Sequence, residues 1–399
     1  MPRVAILGSR LNVVEGAAAA GVDVVLLHQP GVPQRQAYEL AEQVIAVDLA
    51  DRDAVESAVL ALHTEDPFDR VITLTEPCLV MAAGLNEQLG LGGNSTDSVL
   101  MLKDKARMRA VLASAGLSPV ATRIVTSATA LREFLAQLGR PAIVKPTDAM
   151  GSEHVHRVAT AAAADAAWQD LSAAGITTVL AEEFLEGPEI SVEGISGGGK
   201  HTLVTSTGKI LGPGFVETGH TMPAPLLDPA ARDEVYSLVS DFLMLSDLTE
   251  GPSHTEIMLT SSGPRIIESH NRIGGGMLND LIMLSTGLNL AALAVTVPLG
   301  LEPLPGPPSV SNGAAIRFFV TEPGRVVSVA GLAEAAAVPG TELGEIPPVG
   351  AVIPPMQSSA DRVSGYVIGH GADAAEAAAR CDEVLRLVRI STVPAVIAS

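Results

Sequence analysis

The sequence predicts an α/β protein in three parts. A parallel sheet flanked by helices is expected over residues 1–95. A two-lobed mixed domain follows over 96–300 (lobe A to about 185, lobe B from about 186), then a small α+β domain over 301–399. Three observations predict this. Short β-type runs alternate with helical pattern through the first hundred residues. Near residue 96 the pattern changes to longer helices and antiparallel-type strands. After residue 300, the proline-rich "LEPLPGPPSVSNG" reads as a linker.

Composition fits such a fold and narrows the partners. The chain has 399 residues, too many for one hydrophobic core, and is 47% hydrophobic with only 3% aromatic residues. The formal net charge of −20, from 45 acidic against 25 basic residues, would repel phosphate backbones and anionic lipid heads. Neither nucleic acid nor membrane is therefore an expected partner. Cys78 and Cys381 lie far apart without metal-type spacing, which suggests a reducing compartment. The start "MPRVAILGSR" reads as a first strand and not a signal peptide, and the longest apolar run, 290–301, is about half of what a membrane helix needs. A cytoplasmic protein is expected.

In chain order, "RVAILG" (3–8), "DVVLLH" (23–28), "QVIAVD" (43–48) and "RVITLT" (70–75) are the parallel strands. Gly8 sits where the first strand meets a helix, but "GSRLNVVEG" is not a G-x-G-x-x-G dinucleotide fingerprint. "TDSVLMLKDKARMRAVLASAG" reads as one helix, capped at Thr96 or Asp97 and stopped by Gly116. Then come "TRIVT", a helix to about 138, the strand "RPAIVKP", a loop "TDAMGSEHV" and a helix from about 160 to 174. Residues 200–270 read as a mostly antiparallel sheet crossed by one helix over about 229–245.

The chemistry concentrates in "SHTEIMLTSSGPRIIESHN". Folded as a hairpin with its midpoint at Ser262, this stretch sets Glu256 opposite Glu268 and His254 opposite His270, all on one face. Facing carboxylates repel unless a divalent cation lies between them, so Glu256 and Glu268 are the candidate metal ligands. A one-residue slip would destroy the argument. Zinc on two His and two Glu is open at this point, as is Mg²⁺ on oxygen alone.

Further along the same line, Lys145 ends an apolar strand beside a loop with Gly151 and Ser152, a pattern suited to cradling phosphate. Lys103 and Lys105 add cations on the neighbouring helix. In "LAEEFLEGPEISVE", the backbone around Glu182, Glu183, Phe184 and Leu185 could line an adenine, and Glu189 could accept from ribose hydroxyls. Together these features describe an ATP site with Mg²⁺.

The order "KDKARMR", "AIVKP" with its Gly-Ser loop, "AEEFLEGPE", "HTEI" and "IIESHNRIGGG" resembles the ATP-grasp superfamily over roughly residues 96–300. Within it, "FVETGHTMPAPL" (215–226) and "IRFFVTEPGRVVSVAG" (316–331) resemble the L-amino-acid ligases and related carboxylate–amine ligases. The resemblance implies an N-terminal parallel domain, a two-lobed ATP-grasp domain and a small C-terminal domain. It implies that ATP phosphates are held by Lys145 and by Lys105 (with Lys103 the alternative), under the loop at Gly151 and Ser152. The adenine would lie against Glu182 to Leu185, the ribose at Glu189, and Mg²⁺, or Mn²⁺ as a substitute, on Glu256 and Glu268. Arg272 would hold the transferred phosphate or the substrate carboxylate, with Arg272 and Lys145 as the catalytic cations. Many superfamily members carry Asn two residues after the second Glu. Here that position is His270 with Asn271 next, so either could complete the metal shell or touch substrate. Glu217 and His220 in "ETGH", and Gly275, are the remaining substrate candidates. The reaction implied is activation of a carboxylate as an acyl-phosphate and its capture by an amine, giving a dipeptide or amide, and a homodimer is a family-level expectation. The alternatives are an ATP-grasp carboxylase or purine-type ligase, a nucleotide-binding protein without turnover, and a zinc hydrolase.

Overall fold

In the computed structural model, the described residues are 1–394, excepting 9, 32–34, 148–150, 152, 310 and 311. The four N-terminal strands Arg3–Leu7, Asp23–His28, Gln43–Ala46 and Arg70–Ile72 form a parallel sheet with Arg3–Leu7 between the second and fourth. Strand alternation divides its side chains cleanly. Val4, Ile6, Val24 and Leu26 enter one core, while Ala5, Leu7, Val25 and Leu27 enter another. The first of these cores continues through helices Leu278–Thr286 and Leu290–Thr296 into the central sheet, so the N-terminal layer is packed onto the rest of the molecule.

A second sheet, antiparallel, has the order Thr122–Val125, Val179–Glu183, Ala142–Pro146, His156–Val158. Helices Ala128–Leu138 and Ala161–Ala173 cover one face through Leu131, Phe134 and Leu171, leaving the other face towards a cleft. The expected single helix from residue 96 is two, Thr96–Lys103 and Lys105–Ser114. Asp104 breaks it: its backbone is extended and its carboxylate accepts from the N–H groups of Ala106 and Arg107. Asp caps helices more readily than it continues them. The break places Lys105 at a helix start, where its own N–H donates to Thr147 O at 3.0 Å.

The third sheet has eight strands in the antiparallel order Gly263–His270, Gly251–Thr260, Glu189–Gly197, Lys200–Leu211, Glu217–Met222, Gly313–Phe318, Tyr366–Gly371, Thr341–Gly344. Helix Pro229–Leu245 packs across it through Val235, Val239 and Phe242. The strands after the proline-rich stretch thus extend the same sheet, with Gly219 pairing Arg317 and Met222 pairing Ala314. Helix Ala374–Leu387 covers that end, and a small sheet of Val352–Ile353, Gly324–Ala330 and Arg389–Val393 stands apart. No single helix among the described residues is long and apolar enough to cross a membrane.

Candidate active site

A cavity of about 450 Å³ lies between the two antiparallel sheets and the C-terminal edge of the parallel one. That volume suits a ligand of nucleotide size. Its acidic wall is the hairpin of Gly251–Thr260 and Gly263–His270, where Glu256 pairs with Glu268 and His254 with His270. The register is reached by an unexpected route. The turn is Ser261–Ser262, so near the tip Thr260 faces Gly263 and Ile257 faces Ile266, one step away from the predicted frame. A β-bulge at Ile267 restores the frame before Glu268. Arg109, on helix Lys105–Ser114, satisfies the bulge's carbonyls: Nη1 donates to Ile266 O at 2.5 Å and Nη2 to Ile267 O at 3.2 Å.

Each hairpin carboxylate has its own ammonium. Lys209 Nζ lies 2.5 Å from Glu256 and Lys105 Nζ 3.0 Å from Glu268. Burial alone would push the Glu268 carboxyl up, but Lys105, His270 and Lys145 overcome it and hold Glu268 well below the usual range. Each also has a histidine two residues away on its strand, with Nε2 at 3.2 Å in both cases. His254 Nδ1–H donates to the fully buried Glu193 at 2.9 Å. Burial works against a charged His254, yet Glu193 and Glu256 outweigh it and raise its pKa to about 9. Both ring nitrogens of His254 already face carboxylates, Nδ1 towards Glu193 and Nε2 towards Glu256, and in this arrangement are not offered to an ion. The oxygen pair that remains suits Mg²⁺.

Lys145, 6% exposed at the end of strand Ala142–Pro146, extends its Nζ to 2.7 Å from Glu182. Glu182 is buried and also paired with Arg109. Alternation turns it beneath the lysine, so its carboxylate steers cations as well as bordering the cleft. Its neighbour Glu183 accepts from Ala121 N–H at 2.9 Å and pairs with Arg140. Phe184 and Leu185 supply the apolar stretch of the wall, and Arg157 lies over the Phe184 ring at 4.7 Å. Gly151 lines the cavity, and its carbonyl accepts from Ser359 N–H at 3.2 Å. Ser152 lies outside the described residues.

Glu189 stands in an acidic trio with Glu217 and Glu256, whose oxygens lie within 4.8 Å of one another. The Lys209 ammonium fills the space between them, at 2.9, 2.7 and 2.5 Å. Burial would lower the Lys209 pKa, but three carboxylates drive it well above the ordinary lysine value. Glu189, partly buried beside two other acids, is raised despite Lys209.

At the far end, Arg272 pairs with Glu76 on the loop after strand Arg70–Ile72. Burial pushes the Glu76 carboxyl up, but His270 and Arg272 bring it down to about 2. His270 Nδ1 lies 3.3 Å from Glu76, without hydrogen-bond alignment. His270 thus touches both Glu268 and Glu76, whereas Asn271 turns to a separate small cavity beside Asn86 and Pro252. Asn271 does not reach the cleft, because consecutive strand residues point to opposite faces. Glu217 lines the cleft, its backbone and carboxylate facing Arg362. His220, 1% exposed, sits 3.7 Å from Glu217, and burial lowers its pKa to about 4. Of the three glycines after Arg272, Gly275 borders the open cavity, while a Cβ at Gly276 (φ +65°) would meet His220 Nε2 at 2.7 Å.

Sequence reasoning missed Arg10, Glu76, Arg109, Lys209 and Arg362. Arg10 and Glu76 were findable: both follow parallel strands at their C-terminal ends, where α/β sheets bind ligands. Lys209, a lone lysine inside a strand, gave a weaker signal. Arg109 and Arg362 gave none, since their roles depend on distant segments.

The chain is similar to known proteins in three segments. Residues 14–93 match the ATP-grasp N-terminal domain, 138–280 the ATP-grasp domain and 317–393 the L-amino acid ligase C-terminal domain 2. Carnosine synthase 1 of Mus musculus is 26% identical over 75% of this chain and 39% of its own length. Alanine–anticapsin ligase of Bacillus subtilis is 27% identical over 57% of this chain and 53% of its own. The chain spans about two-fifths to two-thirds of the length of the curated relatives it matches. The crystal structure of L-amino acid ligase from Bacillus licheniformis superimposes with a TM-score of 0.83 at 23% identity, covering 98% of this chain and 99% of that one. The chain thus matches, in order, an ATP-grasp N-terminal domain, an ATP-grasp domain and the L-amino acid ligase C-terminal domain 2.

Proposed function

We propose that the protein is an ATP- and Mg²⁺-dependent ligase that activates an amino-acid carboxylate as an acyl-phosphate and joins it to an amine. The products are a dipeptide or amide, ADP and phosphate. One observation carries the reading: the facing pair Glu256 and Glu268 shares a cleft with Lys105, Lys145 and Arg272. Hard carboxylate oxygens for a divalent ion, next to cations for phosphate and for a carboxylate, are what phosphoryl transfer to an acid requires. Mg²⁺ on the two acids would spread the charge of the transferring phosphate.

The chain's own groups do the positioning. Phe184 and Leu185 offer an apolar bed for a base, and Glu189 an acceptor for ribose. Glu182 holds Lys145 in place, and Glu268 holds Lys105, until phosphate oxygens compete for both ammoniums. Arg272, oriented by Glu76, meets the carboxylate. Glu217 and Arg362 border the space left for the amine partner, with His220 behind them. Relatives named for alanine and anticapsin, and for L-arginine, support amino acids as the substrate class.

Phosphate release from ATP and Mg²⁺, screened with amino acids singly and in pairs, tests the proposal. Release that requires a pair, and is lost in Glu268→Gln, is the expected result. ATP binding with no release for any pair would defeat it.

A further inference from the structure

Outside the cleft, two histidines and an aspartate converge on a single point. His154 Nδ1 and His156 Nε2 each lie 3.0 Å from the same atom, Asp170 Oδ2. All three donor atoms are within 4.8 Å of one another. Metal–ligand bonds of about 2.0–2.1 Å place neighbouring donors of a tetrahedral zinc shell roughly 3.3 Å apart. The two His–Asp distances are therefore within a few tenths of an ångström of that spacing.

The donors come from two elements. His154 and His156 flank Val155 at the start of strand His156–Val158, and Asp170 projects from helix Ala161–Ala173. Val155 and Glu153, between and before the histidines, line the nucleotide cleft. The histidines thus grip the helix from a segment that also forms part of the cleft wall. His154 has φ +54°, a left-handed conformation that costs a non-glycine residue about 1 kcal/mol. The side chains of His154, His156 and Asp170 are 37%, 29% and 52% exposed, so solvent can complete a four-coordinate shell.

We propose that His154, His156 and Asp170 form a binding site for a divalent first-row transition metal of the zinc class, separate from the candidate Mg²⁺ site. Two imidazole nitrogens and one carboxylate favour Zn²⁺, Co²⁺, Ni²⁺ or Cu²⁺ over Mg²⁺, which prefers oxygen and retains its waters. A bound ion would tie the segment after Gly151 to helix Ala161–Ala173 and so stiffen one lip of the cleft. The site does not depend on the ligase reading.

Equilibrium dialysis of the full chain against Zn²⁺, with Mg²⁺ in large excess, tests it. The expected result is one Zn²⁺ per chain, weakened at least about tenfold in His156→Ala and in Asp170→Asn, and unchanged in Glu268→Gln. All three ligands are partly exposed, so the variants should retain the wild-type thermal transition, which is measured alongside. Absence of stoichiometric zinc overturns the proposal. So does zinc that persists in both ligand variants, or zinc lost only in Glu268→Gln, which would assign it to the cleft.

Discussion

The hairpin presents the same triad twice, and the two copies differ in the setting of the outer acid. Glu193–His254–Glu256 and Glu76–His270–Glu268 each run from an acid, through a histidine, to one of the facing carboxylates. Glu193 comes from the adjacent strand of the same sheet, is fully buried, and also accepts from Ser191 Oγ at 2.6 Å. Glu76 comes from the N-terminal layer, lines the cleft and is shared with Arg272. The first triad is framework and can only hold its carboxylate still. The second joins two layers of the molecule and ends on the cation expected to meet substrate. A buried charge held entirely within one sheet gives rigidity, whereas the same motif spanning two layers can respond to what enters between them.

That contrast can be broken in order of expected effect. Glu268→Gln removes the charge at the metal end of the responsive triad. It should cut phosphate release by about a hundredfold or more, with a smaller change in the melting transition than Glu193→Gln, because Lys105 still has Glu256 and Glu76 nearby. Glu193→Gln should do the reverse, since it strands a buried imidazolium. A loss of about 2–4 kcal/mol in denaturant unfolding is expected. Glu76→Gln should lower kcat/KM by about tenfold through misplacement of Arg272, with stability less affected than in Glu193→Gln. If Glu193→Gln and Glu76→Gln behaved alike in both assays, the division into framework and responsive triads would fail.

The titrations sharpen the same point. His254 has a folded pKa of about 9, above its ordinary 6.5, so its stabilisation is complete below pH 6.5 and disappears as pH rises through about 9. His220, lowered to about 4, does the opposite: stability is lost as pH falls from 6.5 towards about 4. Unfolding free energy should therefore peak near pH 6.5, and Glu193→Gln should flatten the alkaline limb alone. The smallest effect is expected for Gly276→Ala, where left-handed φ and contact with His220 should cost about 1–2 kcal/mol, read as a lower melting temperature.

Much of this was legible because alternation and strand mouths are local properties. The parallel strands, Lys145 at a strand end and the Glu256–Glu268 pairing follow from residue order alone. The pairing was nonetheless reached through two deviations that cancel: a turn half a residue nearer the chain start, and a bulge at Ile267. Neither is written in the hairpin's own sequence, because the bulge's carbonyls are met by Arg109, which lies 157 positions from Ile266. The helix break at Asp104 was readable in principle, since Asp caps better than it propagates. The double service of Glu182 was not, as it needs Arg109 and Lys145 brought together from two other elements.

The bulge also changes what one strand can deliver. An unbroken strand gives a cavity every second letter of its sequence, so hydrophobic and acidic side chains cannot come to the same face in succession. Around Ile267 that parity rule is suspended: Ile266 is fully buried, and both Ile267 and Glu268 reach the cleft. An oily contact and a charged one therefore stand shoulder to shoulder on a single edge. Deleting Ile267 would leave Glu256 facing Glu268 and still rob the cavity of half that edge.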